Sequence, residues 1–428
     1  MKLENKILLS RIMTRSGDQA WEFAIPLVLI EMFNSNMRIA FFYFFVVKLT
    51  SVIVMPYIGR VIDHIPRKKS IQLGIGLQLF SVIMSAVILF FLNNIGDKNL
   101  NTNNGSLLGY IILIVMGSSS SIGSSIMDIS VASDLVPSAI SKEKLPYFNS
   151  RLRQLDLFTE VTSPILAGLL LLIHIPEFYF LGFSLIVLWN LLSFYPEYTL
   201  LNQILYQRPD LNAKKIVSKA VKETLIKKMQ LGWATFSQQP VALVVLSYAI
   251  LWLSVLSPHG VLLTAFLKGG WSVPEPVIGS FRALGAVFGI TATLLFPKVH
   301  KRFGLLKAGK LFISFQAFMV ILSFISFYIG TPITQSLFLL FILLSRIGLY
   351  GFSLSETEIR QTNIPEQLRG EINGVATSLT GLASLLIFGL GVLFSTAETF
   401  SYLVLTSTIA VVLAATIFNT FAFKKLSN

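Results

Sequence analysis

Apolar residues run along this chain in long blocks separated by short polar turns. The blocks cover roughly 8–33, 37–63, 68–95, 107–136, 146–174, 177–206, 239–268, 274–300, 306–330, 334–361, 367–396 and 400–423. Each is long enough for a helix to cross a hydrocarbon core of about 30 Å. The pattern predicts an all-α membrane protein of twelve transmembrane helices. The longest polar stretch follows the sixth block. It divides the chain into a six-helix bundle over 1–206, a central loop over 207–238 and a second six-helix bundle over 239–428. Parts of the loop are predicted to form a helix lying on the membrane surface.

Composition agrees with a polytopic membrane protein. Of 428 residues, 54% are hydrophobic and only 13% are charged, against about 25% charged in a typical soluble domain. The formal net charge of +13 could point to nucleic acid, but the basic residues sit in alternate short loops, which argues against it. One side carries Lys2, Lys6, Arg60, Arg67, Lys68, Lys69, Lys142, Lys144, the central loop, Lys298, Lys301, Arg302, Lys307, Lys424 and Lys425. The opposite loops hold little beyond Arg38, Lys98 and Lys268. This asymmetry places both termini and the central loop in the cytoplasm. The first span is expected to stay in the mature chain, because Arg11, Arg15 and Asp18 interrupt any early signal-peptide core. The absence of cysteine excludes disulfides and thiolate metal ligands. No nucleotide-binding motif and no nucleophile–base constellation is present, so neither ATP-driven pumping nor enzymatic chemistry is expected.

Two turns echo each other across the halves. Gly59-Arg-Val-Ile-Asp63-His-Ile-Pro-Arg67-Lys-Lys follows the second span, and Pro297-Lys-Val-His-Lys-Arg302-Phe-Gly304 follows the eighth. The first resembles the loop motif of the major facilitator superfamily. That resemblance implies two six-helix bundles rocking about a midplane site.

Polar residues inside the spans are the candidate chemistry, since an ionisable group there costs roughly 2.5–3.5 kcal/mol on insertion scales. Thr14, Asp18 and Glu22 lie one helical turn apart on one face of the first span. They read as a cation site, or more plainly as a helix fixed by pairing of Asp18 with Arg11 or Arg15. In the sixth span Asn190, Ser193 and Glu197 form one stripe, with Phe194 beside them. Gln78 in the third span can add an oxygen. Such an all-oxygen set suits Ca²⁺ and is tolerated by Mn²⁺ and Fe²⁺. The plainer alternative is a set of interhelical hydrogen bonds, about 0.6 kcal/mol each. Asp134, at the end of span four, can pair with Arg153 or Arg369; Arg153 can also satisfy Asp156 one turn on. Glu356 and Glu358 look like boundary residues. His259 is the one mid-span histidine, between Pro258 and Gly260, which can break the helix. It reads equally as a metal or proton site, titrating near pH 6.5 if unperturbed, and as a hydrogen-bonded structural histidine.

At these residues the chain resembles the ferroportin family of ferrous-iron exporters, especially its bacterial members, including that of predatory bacteria. The pattern is densest at Gly17-Asp18-Gln-Ala-Trp21-Glu-Phe-Ala24, Gly76-Leu-Gln78, Asn149-Ser-Arg-Leu-Arg153-Gln-Leu-Asp156, Trp189-Asn190 through Glu197-Tyr198, Arg346-Ile-Gly-Leu-Tyr350 and Arg369-Gly-Glu-Ile-Asn373-Gly-Val. The resemblance implies export of Fe²⁺, and often of other divalent metals, coupled to proton counterflow. It implies a metal aspartate at Asp18 and Ca²⁺ ligands at Asp18, Gln78, Asn190 and Glu197. Glu22 stands where vertebrate members carry a histidine. His259 stands at the position of a metal-binding cysteine, and Ile387 at that of its histidine partner. That cysteine is also the contact for the hormone hepcidin, so hormone control is not implied here. Gate residues of the family match Asp134, Asn149, Arg153 and Arg369.

The expectation is therefore an exporter of divalent transition metal, Fe²⁺ first and Mn²⁺, Co²⁺, Ni²⁺ or Zn²⁺ as further cargo. It is expected to work by alternating access as a proton antiporter, as a monomer in the bilayer of the bacterial inner membrane. Thr14, Asp18, Glu22, Gln78, Asn190, Ser193, Phe194, Glu197 and His259 are its candidate metal residues. The rival readings are an organic-cation or drug efflux facilitator and a non-transporting membrane receptor.

Overall fold

The apolar blocks fold as helices whose ends fall at the polar turns. The computed structural model describes residues 2–33, 37–94, 103–173, 181–212, 225–258, 260–394, 396 and 398–427, and all regular structure among them is helical. The major elements are α1 Leu3–Met32, α2 Met37–His64, α3 Arg67–Asn94, α4 Asn104–Ala139, α5 Leu145–Leu171 and α6 Leu181–Gln207. A short helix, α7 Leu225–Gln238, lies in the central loop. There follow α8 Ala242–Ile250, α9 Val261–Gly269, α10 Glu275–Phe303, α11 Leu305–Ile329, α12 Pro332–Asn363, α13 Arg369–Leu393 and α14 Phe400–Leu426.

Among the described residues, eight of these are apolar enough to cross a membrane by length and composition: α2, α3, α4 and α10 to α14. The predicted spans outside that set are α1, α5, α6 and the α8–α9 pair. These carry intramembrane polar side chains or, for the pair, a break, as expected of elements that line a polar region. Span seven is not continuous. Backbone freed between α8 and α9 is satisfied from neighbouring helices: Val255 N–H donates to Ser407 Oγ at 2.9 Å, and Arg346 Nη2 donates to the Leu256 carbonyl at 2.7 Å. The helix break expected from Pro258 and Gly260 is thus present. His259 itself lies outside the described residues.

The chain forms two compact units. The first comprises Met1–Ala139, Phe158–Gly232 and Glu366–Gly374; the second comprises Ile140–Leu157, Trp233–Pro365 and Val375–Asn428. In the first unit α1 packs along α6, and α3 along α4. The core there gathers Trp21, Leu29, Leu89, Leu113 and Ile186, all nearly inaccessible. In the second, α12 packs along α11 and α10.

Within the first unit, α2 meets the start of α13 almost backbone to backbone. A Cβ on Gly59 would collide with the Gly370 carbonyl, and one on Gly374 with the Met55 carbonyl. Neither obstacle is a flexible side-chain end that could swing away. Asp63 fixes this crossing: its carboxylate accepts from Gly370 N–H at 2.8 Å and from Glu371 N–H at 2.7 Å. An acid at a helix N-terminus satisfies unpaired donors and complements the helix dipole. Gly76 in α3 differs, since a Cβ there meets nothing within 4 Å. Gly59→Ala is therefore expected to lower thermal stability by an overpacking cost of about 1–3 kcal/mol. Gly76→Ala should raise it slightly through helix propensity. Thermal unfolding of the detergent-purified variants checks both signs, and equal midpoints would refute the close-contact argument.

Candidate metal site

Asp18 is buried near the middle of α1, where sequence alone left two readings open. Arg11 and Arg15 both reach across to Asp128 of α4, at 2.5 and 3.0 Å. The hydrogen-bond donors at Asp18 are neutral instead. Gln78 Nε2 of α3 lies 3.1 and 3.2 Å from its two oxygens, and Ser124 Oγ of α4 donates to Oδ2 at 2.8 Å. The helix-fixing ion pair proposed for Asp18 is made by Asp128.

Local sequence explains the convergence. Gly17 lets α6 close on α1: a Cβ there would sit 2.8 Å from Ser193 Oγ and 3.3 Å from Asn190 Cα. Gly123 does the same between α3 and α4, with Gln78 Cγ and the Gly74 carbonyl each 2.8 Å from its would-be Cβ. Four helices of the first unit thereby bring Thr14, Asp18, Gln78, Ser124, Asn190 and Glu197 into one buried polar region. Gln78, Asn190 and Glu197 are each 1% exposed.

Several polar atoms in this region have no hydrogen-bond partner: Gln78 Oε1, Asn190 Oδ1 and Nδ2, and Glu197 Oε2. Leaving a buried polar atom unmade costs about 1–3 kcal/mol, and native structures rarely keep several together. Three of the four are oxygens, and with the Asp18 carboxylate they make a donor set suited to a cation. Thr14 hydrogen-bonds the Glu197 carboxylate and the Ser10 carbonyl. Gln78 gives its N–H to Asp18 in this arrangement, so it must turn its amide to offer Oε1.

The other predicted residues divide. Ser193 and Phe194 are buried, but the Ser193 hydroxyl donates to the Asn190 carbonyl of its own helix at 2.6 Å. Glu22 is accessible, with Asp18, Arg15 and Lys48 of α2 among its charged neighbours. Among the described residues no group of three or more His, Asp or Glu side chains is arranged to hold a metal. The candidate set instead pairs two carboxylates with two amides.

The predicted gate residues fall in both units. Arg67 is the partner of Asp134: Nε lies 2.7 Å from Oδ2 and Nη2 3.1 Å from Oδ1. Arg67 also holds Ser138, the Leu211 carbonyl and Glu366. Arg369 stands 3.8 Å from Asp134 Oδ1 and donates to Ser138 Oγ at 2.8 Å. Arg153 lies over the Tyr350 ring, 4.9 Å from its centroid, and Asn149 Nδ2 donates to Gln361 at 2.7 Å. Asp134 and Arg369 share the first unit; Asn149 and Arg153 belong to the second.

Sequence reasoning missed Ser124, Asp128 as the arginine partner, Arg67, Asp63 and Lys48. The run Gly117-Ser-Ser-Ser-Ser-Ile-Gly-Ser-Ser125 was the available signal, being unusually rich in hydroxyls for an apolar span.

Comparison with known proteins gives a consistent result. The family described as Ferroportin1 (FPN1) matches residues 2–411. The chain is 42% identical to Ferreportin of Bdellovibrio bacteriovorus over 421 residues, covering 98% of this chain and 94% of that one. A bacterial homologue of the iron transporter ferroportin, solved in an outward-facing state, superposes with a TM-score of 0.91 at 40% identity and full coverage of both chains. An inward-facing structure of such a homologue gives 0.67 at 41% identity, covering 98% of each. The major facilitator fold itself is shared with the proton:xylose symporter XylE, at 13% identity, a TM-score of 0.68 and 98% and 95% coverage.

The site makes a charge-based prediction. Asp18→Asn keeps the shape and can still accept from Ser124, but removes an anion that compensates a dication. Calorimetry with Ca²⁺ and Mn²⁺ should show strong loss of binding in Asp18→Asn and Glu197→Gln, and a small change in Ser193→Ala. Unchanged binding in Asp18→Asn would count decisively against this site.

Proposed function

Because the chain belongs to the ferroportin family and has the twelve-helix major facilitator fold, we propose that it exports divalent transition metal, Fe²⁺ foremost, by alternating access. The observation that carries this reading is the buried Asp18 carboxylate, hydrogen-bonded by neutral donors beside unpartnered oxygens of Gln78, Asn190 and Glu197. Two carboxylates match the charge of a dication, and amide and hydroxyl oxygens complete a set that Ca²⁺, Mn²⁺ and Fe²⁺ accept. Affinity for transition metals generally follows the Irving–Williams order, so Co²⁺, Ni²⁺ and Zn²⁺ also belong to the tested cargo. Ca²⁺ is the hard-cation occupant that the same oxygens favour.

A dication moving out leaves a charge imbalance, which proton counterflow relieves. The accessible Glu22, beside Asp18 and Lys48, is a proton acceptor in the same unit, and His259 is another by its chemistry. The chain is read as a monomer in a bacterial inner membrane with both termini cytoplasmic, on the Lys/Arg asymmetry of its loops. Hepcidin control does not form part of this reading, since His259 replaces the cysteine that contacts the hormone.

Reconstitution into liposomes tests the proposal. A metal-sensitive and a pH-sensitive dye are read together while Fe²⁺, Mn²⁺, Co²⁺, Ni²⁺, Zn²⁺ and a lipophilic organic ammonium are offered in turn. Metal flux with opposed proton movement is expected, lost in Asp18→Asn. Flux of the organic cation without metal flux would favour a drug facilitator, and no flux of either would favour a receptor.

A further inference from the structure

A histidine and a carboxylate come together in the second unit. His300 is in the last turn of α10, and Glu358 is near the end of α12. Sequence reading assigned them to a basic turn and a helix boundary. The structure places His300 Nε2 3.3 Å from Glu358 Oε1. Glu358 is 3% exposed, and its second oxygen has no hydrogen-bond partner. Its neighbour Glu356 is engaged by Arg360 at 2.5 Å, so Glu358 is the carboxylate available to the imidazole.

The separation fits two roles, a long hydrogen bond and two ligands of one metal ion. A charge-assisted N–H···O⁻ hydrogen bond closes to about 2.7–2.9 Å, and this pair stands farther apart. Two ligand atoms each about 2.0–2.2 Å from one transition-metal ion are separated by roughly 2.8–3.6 Å at angles of about 90–110°. The observed 3.3 Å falls within that range. Imidazole nitrogen with carboxylate oxygen is a donor pair that first-row transition metals accept. Half-buried His300 leaves one side of the pair open to water, which supplies the remaining positions of the coordination sphere.

We propose that His300 and Glu358 form a divalent transition-metal binding site, with one nitrogen ligand, one carboxylate ligand and water. The exposed Lys298, Lys301 and Arg302 of the same helix end repel a dication, so binding is weak and exchangeable, suited to passing an ion on rather than storing it. The choice of a transition metal as ligand rests on the export reading above; the geometry of the pair does not.

The test uses the full chain in nanodiscs with Mn²⁺ alone as probe, read by pulsed EPR for coupling to a coordinated imidazole nitrogen. The background is Asp18→Asn with His259→Ala, which removes the other candidate ligands. A nitrogen coupling in this background that disappears in His300→Ala, and weakens in Glu358→Gln at equal Mn²⁺, is expected. Glu358→Gln keeps the side-chain volume, so it carries the test even where the alanine variant does not fold. No nitrogen coupling in the background, or coupling that persists without His300, would overturn the site. Liposome flux is measured separately in the wild type. Flux without the coupling overturns the site and leaves export standing, whereas coupling without flux supports the site and overturns export.

Discussion

Keeping a carboxylate inside the membrane without a direct ion-pair partner among the described residues is the constraint on which this structure turns. A charge at that depth is expensive unless something polar faces it. At Asp18 the obvious cations are directed elsewhere, since Arg11 and Arg15 both bind Asp128. Gln78 and Ser124 hold the carboxylate with neutral donors. Neutral donors orient an anion without neutralising it, so a mobile cation can still be attracted. The glycines at 17 and 123 follow from the same need, because only without a Cβ can α6 and α4 bring their polar groups this close.

The fourth helix links this site to the polar network at the basic end of its unit. Its segment Asp128–Leu135 is π-helical, a widened geometry found mostly as short insertions at functional sites. Asp128 at one end of the segment takes Arg11 and Arg15, and Asp134 near the other takes Arg67. Breaking a buried pair of the Arg67–Asp134 kind by removing one partner costs about 3–5 kcal/mol, because the survivor is left uncompensated. Arg67 and Asp63 come from the two ends of one basic turn. They hold the segment around 366–371 by different chemistry, Arg67 through Glu366 and Asp63 through backbone N–H groups.

Much of this architecture was legible in the sequence. Hydrophobic block length set the helices: the expected 306–330 and 400–423 appear as α11 Leu305–Ile329 and α14 Phe400–Leu426. Polar side chains on apolar helices flagged Asp18, Gln78, Asn190 and Glu197, because burial makes each of them costly. Partner choice was not legible. Nothing local in Arg11 or Arg67 says which distant aspartate it meets; of the partners expected for Asp134, Arg369 lies 3.8 Å away, but the closer Arg67 was not anticipated. Ser124 was hidden among its hydroxyl neighbours, since a serine in a helix commonly bonds its own backbone, as Ser193 does. The His300–Glu358 contact depends on how α10 and α12 pack, which no spacing along one helix encodes.

The central claim is that a dication binds among the oxygens of Asp18, Gln78, Asn190 and Glu197. Anomalous diffraction from crystals of this chain soaked in Mn²⁺ tests it most directly, because the signal locates the ion itself. The account predicts a peak within bonding distance of the Asp18 and Glu197 carboxylates, with Gln78 turned to present its oxygen, and no such peak in Asp18→Asn. A wild-type map with Mn²⁺ bound elsewhere and nothing at Asp18 would contradict it.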